Sequence, residues 1–329
     1  MILHVFNPDN DMALANGSPG YTPPANIQRM MEHTALLPTR WAKPGDGVWV
    51  QDRVWIVEEP APKTEDWSES VEPGKGHWVS LSACVDEVSE VRPWGWSPAI
   101  CHRLRVVGIP DRFLPTAAQL ETLRKLSGRQ QAVCLLRQLQ PLHPNYVGES
   151  VYCTSEEAVR QALSRWPRTI LKAPWSSSGK GIRYGQGGQE DTLRGWYQRI
   201  LSQQGAVVVE PLYDKLHDFA MEFWSDGVGM VTYRGLSLFT THSNGAYKGN
   251  LLWDEGRKNA WMVERLNEMD IPPVVLDSLR ADLETRLSAL VGRAYRGPLG
   301  VDMMLVKDGF IHPCVEINLR MTMGFAAIL

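Results

Sequence analysis

The sequence lacks several features that would assign the protein to a particular class. It has no uninterrupted apolar run of about 18 residues, the length that a membrane-spanning helix needs. Its first residues contain no basic segment ahead of a short apolar run, so we expect no secretory signal peptide. A net charge of -3 and a pI near 6.3 give no basic excess for nucleic acid. These absences predict a cytoplasmic protein whose partners include neither a membrane nor nucleic acid.

Cysteine is also sparse and unpatterned. The five cysteines are odd in number and form no Cys-x-x-Cys pair. This spacing excludes the usual zinc motifs and argues against a disulfide framework, so we expect reduced thiols. The cysteines are Cys84, Cys101, Cys134, Cys153 and Cys314.

The composition is that of an ordinary globular protein. With 329 residues, 43% of them hydrophobic and 22% charged, the chain is long enough for two or three domains. Short apolar strands alternate with helical segments up to residue 114, which predicts a small doubly wound α/β domain over 1–114. The character of the sequence changes there, where Thr116 is predicted to cap a helix.

Polar residues near the C-terminal end lie in phase on a predicted hairpin. Two β-rich runs, 300–306 and 310–320, flank a turn at Lys307-Asp-Gly309. Asp302 lies on the first strand, and Glu316 and Asn318 lie two apart on the second, so all three can share a face, which Arg320 continues. Carboxylate and amide oxygens are ligands that Mg²⁺ prefers, often together with substrate phosphates. The alternative is an edge hairpin with solvated polar side chains.

A second polar feature could supply the phosphate contacts. The run 168–172 predicts a strand that ends at Lys172, and a Ser- and Gly-rich loop over 176–181 follows it. Such a loop exposes backbone N–H groups to phosphate oxygens, and the lysine adds a point charge. The loop is neither a Walker A motif nor a dinucleotide fingerprint, because its glycines do not have the required spacing. A plain hairpin is the alternative.

The order of these features resembles the ATP-grasp superfamily. An apolar strand over 206–213, antiparallel strands over 217–240, a polar loop over 241–250 and helices over 257–269 and 274–294 separate the two features. The resemblance covers about residues 115–320. It implies a fold in which the α/β domain precedes two α+β subdomains, 115–205 and 206–329, with ATP and two Mg²⁺ ions between them.

The resemblance also implies roles for individual residues. Lys172 and the loop would contact the phosphates, Glu210 and the following backbone would hold the adenine, and Asp218 would bind the ribose. Asp302, Glu316 and Asn318 would bind the metal, and Arg320 would lie beside the transferred group. The loop comprises Ser176, Ser177, Ser178, Gly179, Lys180 and Gly181, and the backbone after Glu210 comprises Pro211, Leu212 and Tyr213.

Two positions depart from the family pattern. The second phosphate lysine is replaced by Arg129, which keeps the charge but not the ammonium geometry. The arginine that many relatives carry two residues before the first metal carboxylate is replaced by Gly300. Arg320 or Arg296 would then take over its catalytic role.

The resemblance implies a ligase that activates a small-molecule or peptide carboxylate as an acylphosphate for attack by an amine. Two alternatives stay open: a kinase acting on a hydroxyl, for which Arg234, Lys248 and Arg257 with His242 could form a basic pocket, and a nucleotide-binding protein without turnover. His242 and Lys248 could also meet the ligase substrate. The oligomeric state is left open, with a homodimer as one option.

Overall fold

A computed structural model describes residues 1–63, 71–176, 181–187, 190–241 and 247–329. These residues form three sheets that follow one another along the chain. The predicted class, an α/β domain followed by α+β units, is confirmed.

The first sheet has β1 near its centre. Its strand order is β4-β3-β2-β1-β5, with β1 parallel to both β2 and β5. Strand β3 is antiparallel to both β2 and β4. Only two residues connect β2 to β3, and one of them, Gln51, has a φ of 58°, so this connection is a hairpin. The strands are β1 (Ile2–Val5), β2 (Gly47–Val50), β3 (Arg53–Val57), β4 (Gly76–Ser80) and β5 (Glu90–Pro93), and the helices are α1 (Asn10–Asn16), α2 (Ala25–Thr34), α3 (Leu81–Cys84) and α4 (Pro98–Val106).

The middle sheet is antiparallel, in the order β6-β9-β7-β8. Its strands are β6 (Val151–Cys153), β7 (Arg168–Lys172), β8 (Ile182–Gln186) and β9 (Val207–Pro211). Two helices precede it in the chain, α5 (Ala117–Leu126) and α6 (Arg129–Leu139), and α6 packs mainly on the strand Phe310–Asn318 of the third sheet. The helices that pack on the middle sheet are α7 (Glu156–Leu163) and α8 (Glu190–Gln204). The apolar strand β9 pairs with both β6 and β7. A boundary at 205/206 would separate β9 from this sheet, so we place the boundary after Pro211.

The third sheet has the order β12-β11-β10-β13-β14. Its strands are β10 (Lys215–Asp226), β11 (Val231–Thr241), β12 (Tyr247–Asn250), β13 (Arg296–Val306) and β14 (Phe310–Asn318), and its helices are α9 (Glu255–Glu268), α10 (Val274–Val291) and α11 (Met323–Ile328). The prediction of a loop over the whole of 241–250 was wrong, since Tyr247–Asn250 pairs with β11. Part of that segment, 242–246 with His242, lies outside the described residues.

Alternation along β10 divides the third sheet into two faces. Phe219, Met221 and Phe223 are buried in the largest core cluster, which also contains Leu279 and Leu283 of α10. The residues between them, Asp218, Ala220 and Glu222, point to the opposite face because side chains alternate along a strand. Helices α9 and α10 therefore cover one face of the sheet, while the other carries polar side chains and, towards one end, α11.

Two further findings concern the chain as a whole. In the described part of the chain, no helix has both the length and the apolar character needed to cross a membrane. All five cysteines are free thiols, and only Cys134 is exposed.

Candidate functional site

The predicted hairpin is confirmed, with an irregularity in its pairing between Asp302 and Met304. Asp302 lies directly opposite Glu316, and Gly300 lies opposite Asn318, across an antiparallel β13–β14 pair. Asp308 and Gly309 close the turn with φ values of 64° and 80°, as a tight hairpin between right-twisted strands requires. The three candidate ligands therefore share one face of the third sheet.

Asp302 has an electrostatically unfavourable position. Burial, together with the neighbouring Glu316 carboxylate, raises the pKa of Asp302 to about 7. Its Oδ2 accepts a hydrogen bond of 3.0 Å from Nδ2 of Asn318. A bound cation would relieve this repulsion, and rotation of the Asn318 amide would turn its oxygen towards the same point. The residues therefore fit Mg²⁺.

The donor set is limited to these three side chains. Among the described residues, no group of three or more His, Cys, Asp and Glu side chains is arranged to hold a metal ion. Two carboxylates and an amide leave most of the six ligands of Mg²⁺ to water and to a phosphorylated substrate, which is how this ion is commonly held. The site is therefore suited to a metal–nucleotide complex rather than to a permanently bound metal.

Arg320 connects this face to the first domain. Its Nε lies 3.0 Å from both carboxylate oxygens of Asp11, and its Nη2 lies 2.7 Å from Oδ2. The same Nη2 donates a 2.9 Å hydrogen bond to Oδ1 of Asn318. The guanidinium is thus held in place between α1 and a candidate metal ligand by several charge-assisted bonds.

Arg129 joins the other predicted half of the site to the same face. It is the first residue of α6 and is buried. Its Nη1 donates to the carbonyl of Ala173 at 2.6 Å and to Oγ of Ser176 at 2.8 Å, and its Nη2 lies 2.8 Å from Glu316. One guanidinium therefore bridges the start of the predicted phosphate loop and the strand that carries the candidate metal ligands.

The structure describes the two ends of the predicted phosphate loop, Ser176 and Gly181. Ser177, Ser178, Gly179 and Lys180 lie outside the described residues. At its ends, a Cβ placed on Gly181 would come within 2.2 Å of Cβ of Ser176, so the close approach of the two ends requires glycine. Asp11, Ser176, Glu316 and Asn318 line a common cavity of about 10 Å³, close to the volume of one water.

Lys172 lies at the end of β7, as predicted, but it is not a free cation. It is buried, and its Nζ lies 2.6 Å from Oε2 of Glu210, whose Oε1 accepts from Ser150 at 3.0 Å. A buried lysine is tolerated because the carboxylate neutralises it. A phosphate would compete with Glu210 for this ammonium.

The predicted adenine segment continues from Glu210 through Pro211, Leu212 and Tyr213. The backbone N–H of Leu212 is already used by the carbonyl of Arg168 at 2.9 Å. The ring of Tyr213 meets the buried ring of His312 edge-on, with 5.6 Å between centroids. Asp218 accepts hydrogen bonds from Lys215 and from Oγ1 of Thr241. The segment thus packs against β14 through the contact between Tyr213 and His312.

His312 should give the protein a measurable pH dependence. Burial lowers the pKa of His312 to about 4, well below the 6.5 of an exposed histidine. Between these values the unfolded chain binds a proton that the native state does not, so stability falls as pH drops from about 6.5 to 4, by about 3 kcal/mol. Urea unfolding of the wild type and of His312→Gln across this range measures the difference.

The difference in stability between the wild type and His312→Gln separates the contribution of this histidine from that of the carboxylates. Wild type should lose more stability than His312→Gln on acidification, whereas exposed His102→Gln should follow the wild type. Parallel pH curves for wild type and His312→Gln would contradict the assignment.

Arg296, by contrast, is remote from the site. It begins β13, six residues before Asp302, which corresponds to about 20 Å along an extended strand. Its side chain is 62% exposed and lies 3.7 Å from Glu90. The structure does not bring it to the candidate site, where Arg129 and Arg320 lie.

Two residues of the site were not predicted. Asp11 lies in the first turn of α1, shortly after the first strand. Glu222 is buried opposite Gly300, and burial raises its pKa to about 8; its Oε2 accepts from Oγ1 of Thr322 at 2.9 Å. The period-two spacing Asp218–Ala220–Glu222 was the sequence signal that could have placed Glu222 on this face.

A Cβ on Gly300 would lie 2.6 Å from Oε2 of Glu222, so Glu222 occupies the space that an arginine at position 300 would need.

The site as a whole is internally neutralised. Three of its cations each face a carboxylate: Lys172 faces Glu210, Arg129 faces Glu316, and Arg320 faces Asp11. Phosphate oxygens could replace the carboxylates as partners of these cations, while a metal ion binds Glu316. The arrangement can therefore exchange internal ion pairs for a polyanion and its metal ion.

Comparisons by sequence match no protein-family model and no curated protein. Comparison of the fold gives biotin carboxylase from Campylobacter jejuni, 16% identical with a TM-score of 0.47 over 74% of this chain and 51% of that one. The N5-carboxyaminoimidazole synthetase from Staphylococcus aureus, complexed with ADP, is 12% identical, with a TM-score of 0.47 over 97% and 70%. D-cycloserine synthetase is 15% identical, with a TM-score of 0.49 over 100% and 94%.

The chain thus spans about half the length of that biotin carboxylase. The three TM-scores are below 0.5 and the identities are at most 16%, so these likenesses carry no argument about activity. Any functional conclusion has to come from the site itself.

Proposed function

We propose that the protein is an ATP- and Mg²⁺-dependent ligase that activates a carboxylate as an acylphosphate for attack by an amine. The observation that carries the proposal is the bridge made by Arg129. Arg129 contacts Ala173 and Ser176 at the start of a Ser/Gly loop, which follows the strand that ends at Lys172. It also contacts Glu316, which shares one face of the third sheet with the other two candidate metal ligands. A phosphate-binding half and a metal-binding half thus meet at one point.

Each part of the nucleotide would have a place in this site. Lys172, Arg129 and the loop would take the phosphates, the Glu210–Tyr213 segment the adenine, and Asp218 the ribose. Asp302, Glu316 and Asn318 would hold Mg²⁺, two ions in our proposal, which supply charge neutralisation for the transferred phosphoryl group. We also place the enzyme in the cytoplasm, with a small-molecule or peptide acid and an amine as substrates.

The chemistry requires positioning more than proton transfer. A substrate carboxylate oxygen attacks the γ-phosphorus, the bond to the β-phosphate oxygen breaks, and ADP leaves. The amine then attacks the acyl carbon, and inorganic phosphate leaves with the electrons of the acyl–oxygen bond. Arg320, held by Asp11, lies where it can stabilise the negative charge that develops on the acylphosphate.

The kinase alternative is less favoured because its basic pocket does not assemble. Arg234 lines the same cavity as Arg296. Arg257 stacks on Trp253, with 4.0 Å between the guanidinium carbon and the ring centroid. Lys248 lies on β12 and His242 is outside the described residues.

An ADP-release screen over carboxylates, amino acids and peptides tests the proposal. We expect turnover only with ATP, Mg²⁺, an acid and an amine together, and an amide as the product. Release of ADP with hydroxyl compounds alone would support the kinase. Thermal stabilisation by ATP and Mg²⁺ without turnover across the screen would support a nucleotide-binding protein.

Asp11→Asn should reduce turnover without weakening nucleotide binding. The variant keeps the shape of the side chain but removes the charge that holds the Arg320 guanidinium, so we expect kcat to fall about tenfold. The KM for ATP should change less than twofold, since Asp11 is a positioning residue. Steady-state ADP release measures both, with Asp11→Glu as the charge-retaining variant that should recover part of kcat. An unchanged kcat in Asp11→Asn would remove Asp11 from the mechanism.

A further inference from the structure

A large cavity separates the first sheet from the far end of the third. Its volume is about 900 Å³, at the upper end of the range of small-molecule sites. It lies between β5 on one side and the start of β13 with the end of β10 on the other. None of the residues we assign to the nucleotide site lines it.

The walls of this interdomain cavity are aromatic on both sides. Trp94 and Trp41 face it from the first domain, with ring centroids 6.3 Å apart, and Trp224 and Phe325 face it from the third sheet and α11, with centroids 6.2 Å apart. Trp94 and Phe325 belong to one buried apolar cluster, on which Trp41 and Trp224 also pack, so the four rings form a continuous aromatic surface of the cavity. Such a surface favours contact with the face of a planar apolar body.

The rim of the cavity carries an excess of positive charge. Its lining contains five lysine and arginine side chains but only two carboxylates, Asp46 and Glu90, in a protein whose net charge is -3. Glu90 is held by Arg92 at 2.9 Å and Asp46 by His4 at 3.3 Å. The five cations are Lys43, Arg92, Arg112, Arg234 and Arg296.

Three of these cations remain available to a ligand. Within the described ranges, Lys43, Arg112 and Arg234 have no carboxylate partner, and all three residues are exposed. Arg112 lies over the ring of Phe113, with 4.6 Å to the centroid. Guanidinium groups that no protein carboxylate occupies are suited to a carboxylate or another organic anion, which they can bind bidentately.

We propose that the interdomain cavity binds a small organic anion with a planar, apolar body. The aromatic pairs take the body of the ligand, and Arg112 and Arg234 take its anionic group. The cavity adjoins the reaction centre through the segment after Arg320, because Met321 lines it and donates its N–H to the carbonyl of Trp94 at 2.8 Å. The proposal concerns binding alone and stands whether or not the protein uses ATP.

The aromatic sulfonate 8-anilinonaphthalene-1-sulfonate is a suitable probe. Four tryptophan side chains line the cavity, so energy transfer from tryptophan to the probe reports that the probe binds, and paired variants then establish where. We expect one site per chain, displacement by 1-naphthoate, and no displacement by ATP with Mg²⁺. The uncharged 1-naphthalenemethanol should compete at least tenfold less well than 1-naphthoate.

Paired variants locate the bound probe. The double variant Arg112→Gln/Arg234→Gln should weaken binding at least tenfold, because it removes the two guanidinium groups. The double variant Arg137→Gln/Arg199→Gln removes the same charge from exposed positions outside the cavity and should bind as the wild type does. Equal affinity in both double variants, or displacement by ATP with Mg²⁺, would overturn the proposal.

A second experiment determines whether the bound anion is a substrate or a regulatory ligand. Aromatic and other planar carboxylates that displace the probe are added to the ADP-release assay. Consumption of the carboxylate identifies the cavity as the pocket of the acid substrate. A change in rate without consumption identifies a regulatory ligand. Failure of ATP turnover leaves the binding result intact, so the two proposals fail separately.

Discussion

Asp302→Asn is expected to abolish Mg²⁺-dependent turnover while leaving the metal-free protein at least as stable as the wild type. The substitution removes a negative charge that Mg²⁺ requires, and we expect activity to fall about 10³-fold, or about 4 kcal/mol of transition-state stabilisation. The same change removes an enclosed carboxylate that Glu316 already repels, so the folded state loses little. ADP release and thermal unfolding with and without Mg²⁺ and ATP measure the two effects.

Asp308→Asn is the matched control for this experiment. Asp308 lies six residues further along the same hairpin, is exposed, and has a positive φ that asparagine also adopts. It should leave both activity and stabilisation by ATP with Mg²⁺ unchanged. If Asp302→Asn kept the stabilisation by ATP with Mg²⁺, the metal face would be misplaced.

Lys172→Met should reduce ATP affinity at least 100-fold and also destabilise the fold. The buried Glu210 carboxylate loses the ammonium 2.6 Å away, and breaking a buried ion pair from one side costs about 3–5 kcal/mol. The phosphates lose a positive charge at the same time. Equilibrium binding of ATP and urea unfolding measure the two losses.

A double variant separates the two consequences of losing Lys172. Lys172→Met/Glu210→Gln removes both charges, so most of the stability should return while ATP affinity stays low. The exposed Lys307→Met controls for the loss of one positive charge and should behave as the wild type does. Full ATP affinity in Lys172→Met would show that the phosphate loop is placed wrongly.

Local pattern was enough for part of the hairpin that carries the candidate metal ligands. The period of two along a strand fixes that Glu316 and Asn318 share a face, and the Asp308-Gly309 turn predicts the hairpin itself. The turn alone would set Asp302 against Cys314, and an irregularity in the pairing between Asp302 and Met304 sets Asp302 against Glu316 instead. The end of strand β7 at Lys172 was equally local, because neighbours along the chain determine it.

Pairings between distant segments could not be read in this way. Asp11 lies 309 residues from Arg320, and no periodicity relates the two. Strand β9 was assigned to the wrong side of a boundary because its apolar run shows that it is buried but not which strands it pairs with. Arg296 was a candidate for catalysis because it lies only six residues before Asp302 in the sequence. Strand β13 is extended, so these six residues separate the two side chains in space.

The sequence by itself determined which residue types could bind phosphate and metal and which of them share a strand face, because strand geometry and turn chemistry act over a few residues. Only the tertiary structure decided which charges meet. It pairs Lys172 with Glu210, Arg129 with Glu316 and Arg320 with Asp11, and it opens a cationic, aromatic cavity between domains. Those outcomes depend on how separate sheets pack, since charges that lie far apart in the chain interact only when packing brings them within a few ångströms and excludes water.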